Sequence, residues 1–237
     1  MGFFSGIRYN IRGTALALRT PSLLILGLLR FAVILVLTLV LSGAVLLYHE
    51  ALLSAVWQAP EGGWLLYLWY GVSWLLTLVL VLVAMVLAYL LGQIFFGVFI
   101  MDYMSRLTER IVLGREQAAP HASWFAFFLY LMRQEIPRAL VPVMLALLIS
   151  VIGFFTPLGP VILVISSVAA AIFLAWDNTD LVPARRMVPF RQRFGFLKKN
   201  LLFHAGFGIL FLIPWLNILF LSFAPVGATL YFLEREK

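Results

Sequence analysis

The 237-residue chain has no cysteine, few charges and only three histidines. Without cysteine it can form no disulfide, no thiolate nucleophile and no cysteine-ligated metal site. Charged residues make up 11% of the chain against 64% hydrophobic, more apolar surface than a soluble domain of this length could hide in one core. The short polar signatures of common enzymes are missing as well: there is no His-Glu-x-x-His, no Gly-x-Ser-x-Gly and no phosphate-cradling glycine loop. His49, His121 and His204 lie too far apart for metal-ligand spacing. These absences point away from catalysis, cofactors and metals. With few long polar stretches to build a separate soluble domain, they predict one membrane domain over 1–237.

The formal charge of +7 could suggest a nucleic-acid partner. The cations, however, fall in short loops between apolar spans, where membrane orientation and anionic lipid explain them better. The N-terminus has no charged region before an apolar run, and Gly6 stands where a myristoylation signal has Ser or Thr, so neither cleavage nor lipidation is expected.

Along 1–19, Phe3, Phe4, Ile7, Ile11 and Leu18 fall near one helical face, with Arg8, Arg12 and Arg19 mostly elsewhere. This is the pattern of an interfacial amphipathic helix that lies on the membrane. Thr20-Pro21-Ser22 then reads as a helix start, with proline at the first helical position. A first span over 22–48 follows, and Arg30 is close enough to its start to snorkel. The segment from His49 to Gly63 holds Glu50 and Glu61 but no Lys or Arg, and Trp57, Trp64, Tyr67, Trp69 and Tyr70 border it. That is an outside loop with its aromatic belt. A second long helix over 64–112 exceeds one untilted crossing and can bend at Gly92 and Gly97. Arginines from Arg106 to Arg138 mark 101–138 as inside, with a surface helix expected over 121–132.

Two further apolar stretches, 139–176 and 201–233, break at prolines: Thr156-Pro157-Leu158-Gly159-Pro160 and Ile213-Pro214-Trp215-Leu216-Asn217. Proline removes a backbone donor, and hydrocarbon offers no water to satisfy the freed carbonyl. The arms before the two breaks have about 17 and about 13 residues, roughly 25 Å and 20 Å as helix, short of a core of about 30 Å. Both stretches are flanked by basic segments, which puts both termini on the cytoplasmic side. They share a plan, a basic approach and two apolar half-helices around a proline turn, and such a weak repeat points to a transport site. Asp177 and Asp180 sit in a turn-rich segment and read as turn chemistry.

On Ile213-Pro214-Trp215-Leu216-Asn217 followed by Gly227-Ala228-Thr229, the chain resembles the CysZ-type sulfate permeases, grouped with the etoposide-induced membrane proteins. Glu135 and Arg138, Pro157 and Gly159, and Asp180 with Val188-Pro189-Phe190 fall in that family's order, so the similarity covers nearly the whole chain. The resemblance implies an all-α integral membrane protein with two long transmembrane helices, two partly penetrating, proline-broken helical hairpins and an N-terminal amphipathic helix. It also implies a homo-oligomer in the bacterial inner membrane that takes up sulfate or a similar small inorganic anion.

Sulfate-binding members of that family carry a Pro-Gly-Leu-Arg-Arg type motif at the first span, whereas this chain reads Pro21-Ser22-Leu23-Leu24-Ile25. The helix start remains, so Arg19 with the amides of Ser22, Leu23 and Leu24 is the candidate anion site, set against an ordinary helix start. Arg106, Glu109, Arg133, Glu135 and Arg138 read as a pore vestibule or as a solvated charged ring. Asn217 either bonds the broken backbone or faces a permeating ion, and Pro157, Gly159 and Pro214 mark the hairpin tips. The alternative function is a non-transporting protein of the same fold that shapes membrane or scaffolds partners.

Overall fold

A computed structural model of the protein describes residues 2–56, 58, 60–115 and 159–235, with scattered positions between 129 and 157. Among the described residues every regular element is helical. Among the described residues four helices have the length and apolarity to cross a membrane: Pro21–Leu47, Trp64–Gly97, Gly159–Thr179 and Leu216–Arg235. The chain is an all-α membrane protein, as its apolar runs predict. Glu135, Arg138 and most of the surface helix expected at 121–132 lie outside the described residues.

Helix α1 spans Phe3–Arg19, and α2 spans Pro21–Leu47. Thr20, in extended conformation, separates them, and Pro21 opens α2 where its missing N–H costs no helical bond. Helix α3 (His49–Val56) follows. The chain then turns through Gly62 and Gly63, both at positive φ, into α4 (Trp64–Leu91). A π-helical turn bounded by the two expected bend glycines, Gly92–Gly97, leads into α5 (Val98–Leu113). The remaining helices are α6 (Gly159–Thr179), α7 (Leu181–Arg185), α8 (Phe190–Lys199), α9 (Leu201–Gly208) and α10 (Leu216–Arg235). A 3₁₀ turn, Ile209–Leu212, extends α9 toward the proline turn.

These helices form two compact units, one of residues 32–93 and one of the residues up to Phe31 together with those from Ile94 onward. In the first unit, the π-helical turn at the end of α4 comes up against α2. A Cβ on Gly92 would come within 3.2 Å of Ile34 Cγ1, so a residue without a side chain is what permits this approach.

The second unit is built around α1. Its inward face is Gly6, Asn10, Gly13, Thr14 and Ala17, and it meets α9 and α10 backbone to backbone. A Cβ on Gly6 would fall 2.1 Å from the Phe203 carbonyl, and one on Gly13 would fall 2.1 Å from the Gly227 nitrogen. A Cβ on Gly206 would fall 1.8 Å from the Phe3 carbonyl. Asn10 Nδ2 donates to the Phe207 carbonyl at 2.8 Å, which fixes α1 along α9. The apolar residues that suggest an interfacial face point the other way, with Phe4 82% and Ile11 and Leu18 each 47% exposed. Close backbone approach, rather than apolar area, decides which face is buried, as in packed membrane helices.

Two apolar clusters complete this unit. Phe203, Phe207 and Phe211, four residues apart along the α9 arm, pack with Ala224, Ala228 and Tyr231 of α10, and the Phe203 and Tyr231 rings stack at 4.2 Å. Ala17, Leu23, Ile100, Met104, Phe223 and Val226 form the other cluster.

At the first proline break, residues 151–154 are helical and Gly159 begins α6. A Cβ on Gly153 would approach Ile162 Cγ2 to 3.0 Å, so the chain doubles back there. The returning helix α6 has 21 residues, or about 32 Å at the usual rise, which is a full crossing length. The second break is asymmetric: Leu201–Leu212 is a short apolar arm, while α10 has 20 residues. Trp215 turns the chain between them at φ 67° and is exposed.

Candidate functional site

The polar residues of the larger unit gather where α2, α5, α6, α7 and α10 approach one another. Arg30 does not snorkel. It is 4% exposed, and its Nη1 donates to the Leu221 carbonyl at 2.8 Å. The reason lies on α10, where Pro225 stands inside the helix. Proline has no N–H for the carbonyl four residues back, so Pro225 leaves the Leu221 oxygen without its helical donor, and the Arg30 guanidinium supplies one. The same Nη1 lies 3.5 Å from Asn178 Oδ1, while Asn178 Nδ2 donates to the Leu174 carbonyl at 2.7 Å.

Asp177 and Asp180 depart from the turn reading in a similar way. Both are buried. Asp180 stands between α6 and α7, but its carboxylate is paired with buried Arg193 of α8. Nearby, His204 Nδ1–H donates to the Asn200 carbonyl at 2.8 Å, and its Nε2 is 3.0 Å from Thr179 Oγ1. This histidine ties α9 to α6.

A second network centres on Arg185 of α7. Its guanidinium contacts Glu109, which is fully buried, and reaches Asp102 Oδ1 and Ser105 Oγ at 3.2 Å each. Asp102 Oδ2 also accepts from Arg106 Nε at 2.8 Å, and Thr229 of α10 reaches Ser105 at 2.8 Å. Two carboxylates and two guanidiniums balance, which is how charge is tolerated out of water. Arg106 and Glu109, expected together in a vestibule, therefore belong to one network, whereas Arg133 is exposed. Asp102, Ser105, Arg106 and Glu109 recur at helical spacing on one face of α5, a signal present in the sequence. Arg185 and Thr229 arrive from distant segments and carry no comparable local mark.

At the start of α2, Arg19 and Ser22 are exposed and the Leu23 side chain is fully buried. The Leu24 amide already donates to the Thr20 carbonyl at 3.0 Å, so the Ser22 and Leu23 amides are the ones this helix start can offer. Asn217 is exposed at the start of α10, where its Oδ1 accepts the Ile218 amide at 2.8 Å. Pro157 and Pro214 are exposed at their turns, and Gly159 is half-buried.

Outside the bundle, Arg12 of α1 forms a two-point ion pair with Glu234, and Tyr9 donates to the same carboxylate at 2.8 Å. The hydrogen bond from Arg12 to Glu234 holds the guanidinium above its ordinary pKa. Partial burial is the main cause that raises the Tyr9 phenol, with the neighbouring Glu234 carboxylate adding to it.

The site thus joins a guanidinium within an apolar helix, the adjacent Asn178 carboxamide and a charge-balanced polar network. A family model described as sulfate transporter CysZ/etoposide-induced protein 2.4 matches residues 9–222. No curated protein matches the chain.

Proposed function

The chain belongs to the sulfate transporter CysZ/etoposide-induced protein 2.4 family, and on that footing we propose that it is a permease for sulfate or a related small oxyanion. The observation that carries the reading is Arg30, a guanidinium held inside the membrane-crossing helix α2. An ionisable residue at such depth is costly and is kept for ion pathways or relays. An oxyanion entering from the start of α2 would meet Arg19 and the free amides of Ser22 and Leu23. Arg30 lies eight residues further, about 12 Å along the helix. There the guanidinium fork can replace water around the anion, with the Leu221 carbonyl and Asn178 as its resting partners.

In this reading the Arg185 network, with Arg106 and Glu109, is the polar wall of the path, and Arg133, Glu135 and Arg138 form its rim. The turns at Pro157, Gly159, Pro214 and Asn217 are tips of hairpins, and the short Leu201–Leu212 arm of the second reaches only part-way into the bilayer. The protein works as a homo-oligomer in the bacterial inner membrane, and the Lys and Arg of segments 1–19 and 177–200 support a cytoplasmic position for the ends. The reading includes no enzymatic step and no cofactor.

Radiolabelled sulfate uptake into proteoliposomes tests it. Wild-type protein is expected to exceed empty vesicles, and Arg30→Met to lower uptake by roughly tenfold or more, the worth of a charge-assisted hydrogen bond. Arg30→Lys, which keeps the charge but loses the planar fork, should fall between. Uptake at the empty-vesicle level by folded wild-type protein removes the permease reading.

One observation favours the second reading, a membrane-shaping scaffold. Leu24 and Ile25 occupy the places of the family's paired arginines, and Ile25 is 64% exposed, an apolar contact suited to lipid. That reading expects vesicle remodelling without flux.

A further inference from the structure

We propose that the unit of residues 32–93 holds a binding pocket for an organic ammonium group. The pocket lies between α3 and α4, with a volume of about 430 Å³, within the usual range for small-ligand sites. Trp69, Tyr70 and Trp74 of α4 supply aromatic surface to it, and Glu50 of α3 supplies a carboxylate. The His49 ring stacks on Trp74 with centroids 6.4 Å apart and 30° between planes. Ser73 and Thr77, both buried, also line it.

Charge selects the ligand class. Residues 32–93 contain Glu50 and Glu61 and not one Lys or Arg, although the chain as a whole carries 17 such cations. A cation is therefore favoured here and an anion is not. A hard divalent metal needs several oxygen ligands, whereas the pocket has a single carboxylate, which makes no ion pair among the described residues. Indole and phenol faces beside one carboxylate are the recognition chemistry of alkylammonium groups, through cation–π attraction and a charge partner. Its place, just beyond the end of α2 and in the first turns of α4, is a level where Trp and Tyr meet membrane headgroups. Two sources share the chemistry: the ethanolamine or choline headgroup of a lipid, and a free alkylammonium solute. The proposal is independent of anion transport, since none of these residues belongs to the Arg30 region.

The test uses the full chain in detergent micelles. Tryptophan fluorescence is titrated with tetramethylammonium chloride against equal sodium chloride, and native mass spectrometry compares retention of phosphatidylethanolamine with phosphatidylglycerol. A saturable response to tetramethylammonium, selective retention of phosphatidylethanolamine, or both, is expected. The first alone identifies a solute site and the second alone a lipid site. Glu50→Gln and Trp74→Leu should each weaken binding at least fivefold, while Glu61→Gln, an equal change in charge outside the pocket, should not. Glu50 is exposed, so its variant is expected to keep the wild-type melting temperature even if Trp74→Leu does not. No saturable response to tetramethylammonium together with equal retention of the two lipids, or a Glu50→Gln affinity within twofold of wild type, overturns the proposal.

Discussion

Gly206→Ala is expected to unseat α1 and to produce the largest loss of stability of any single methyl added to this protein. The new carbon would lie 1.8 Å from the Phe3 carbonyl oxygen, and no rotamer change relieves a clash with backbone. The two helices must part, which also withdraws the packing around Gly6 and the Asn10 bond to the Phe207 carbonyl. Overpacking of this kind costs about 3 kcal/mol or more. For a chain of this length that corresponds to a fall in melting temperature of about 6–12 °C, or to aggregation in place of a monodisperse peak. Gly13→Ala, facing the Gly227 nitrogen, should behave alike. Gly43→Ala is the control: open space surrounds that position on α2, and removing a helix-interior glycine should leave stability unchanged or slightly raised. Thermal melts followed by size-exclusion chromatography read all three. A Gly206→Ala protein melting within about 2 °C of wild type would mean that α1 does not sit where it is described.

The second large effect is expected at Glu109. Glu109→Leu leaves the Arg185 guanidinium buried without its main counter-charge, and breaking such a pair costs about 3–5 kcal/mol. Asp102 still contacts Arg185 at 3.2 Å, which places the expected loss toward the lower figure. Replacing both partners, Glu109→Leu with Arg185→Met, removes the orphaned charge and should restore most of the stability, because a buried pair contributes little over apolar groups of similar volume. The double variant also separates architecture from transport. If it melts like wild type and still moves sulfate, the network is structural; if it is stable and uptake falls, these charges line the route.

The membrane class was legible because long apolar runs have few physical alternatives, and Pro21 marked the start of α2 because proline fits a first helical turn and little else. The inward face of α1 was harder to read. The apolar periodicity assigns Phe4, Ile11 and Leu18 to the membrane, and it is silent on the opposite face, where Gly6, Gly13 and Ala17 pack on protein. Small residues leave no hydropathy signal, although they are what allows backbones to touch. Arg30 failed for a different reason. Distance from the helix end makes snorkelling plausible, but its partner is a carbonyl freed by Pro225, a residue whose bearing on α2 exists only in three dimensions. Asp180 is the same lesson in charge: its neighbours in sequence describe a turn, and its true partner, Arg193, comes from another helix. Local patterns thus located the elements and some members of the polar network, and long-range pairings completed it.

The seating of α1 on α9 and α10 also orders the protein's biosynthesis. Helix α1 has its docking groove encoded about 200 residues later, a delay of roughly 10–40 s at ordinary elongation rates. Throughout that interval its glycine face is uncovered, so nascent α1 must be sheltered by headgroups or by the insertion machinery. Chains arrested before α9 have nowhere to lodge it, and the larger unit can close only after α10 has been made.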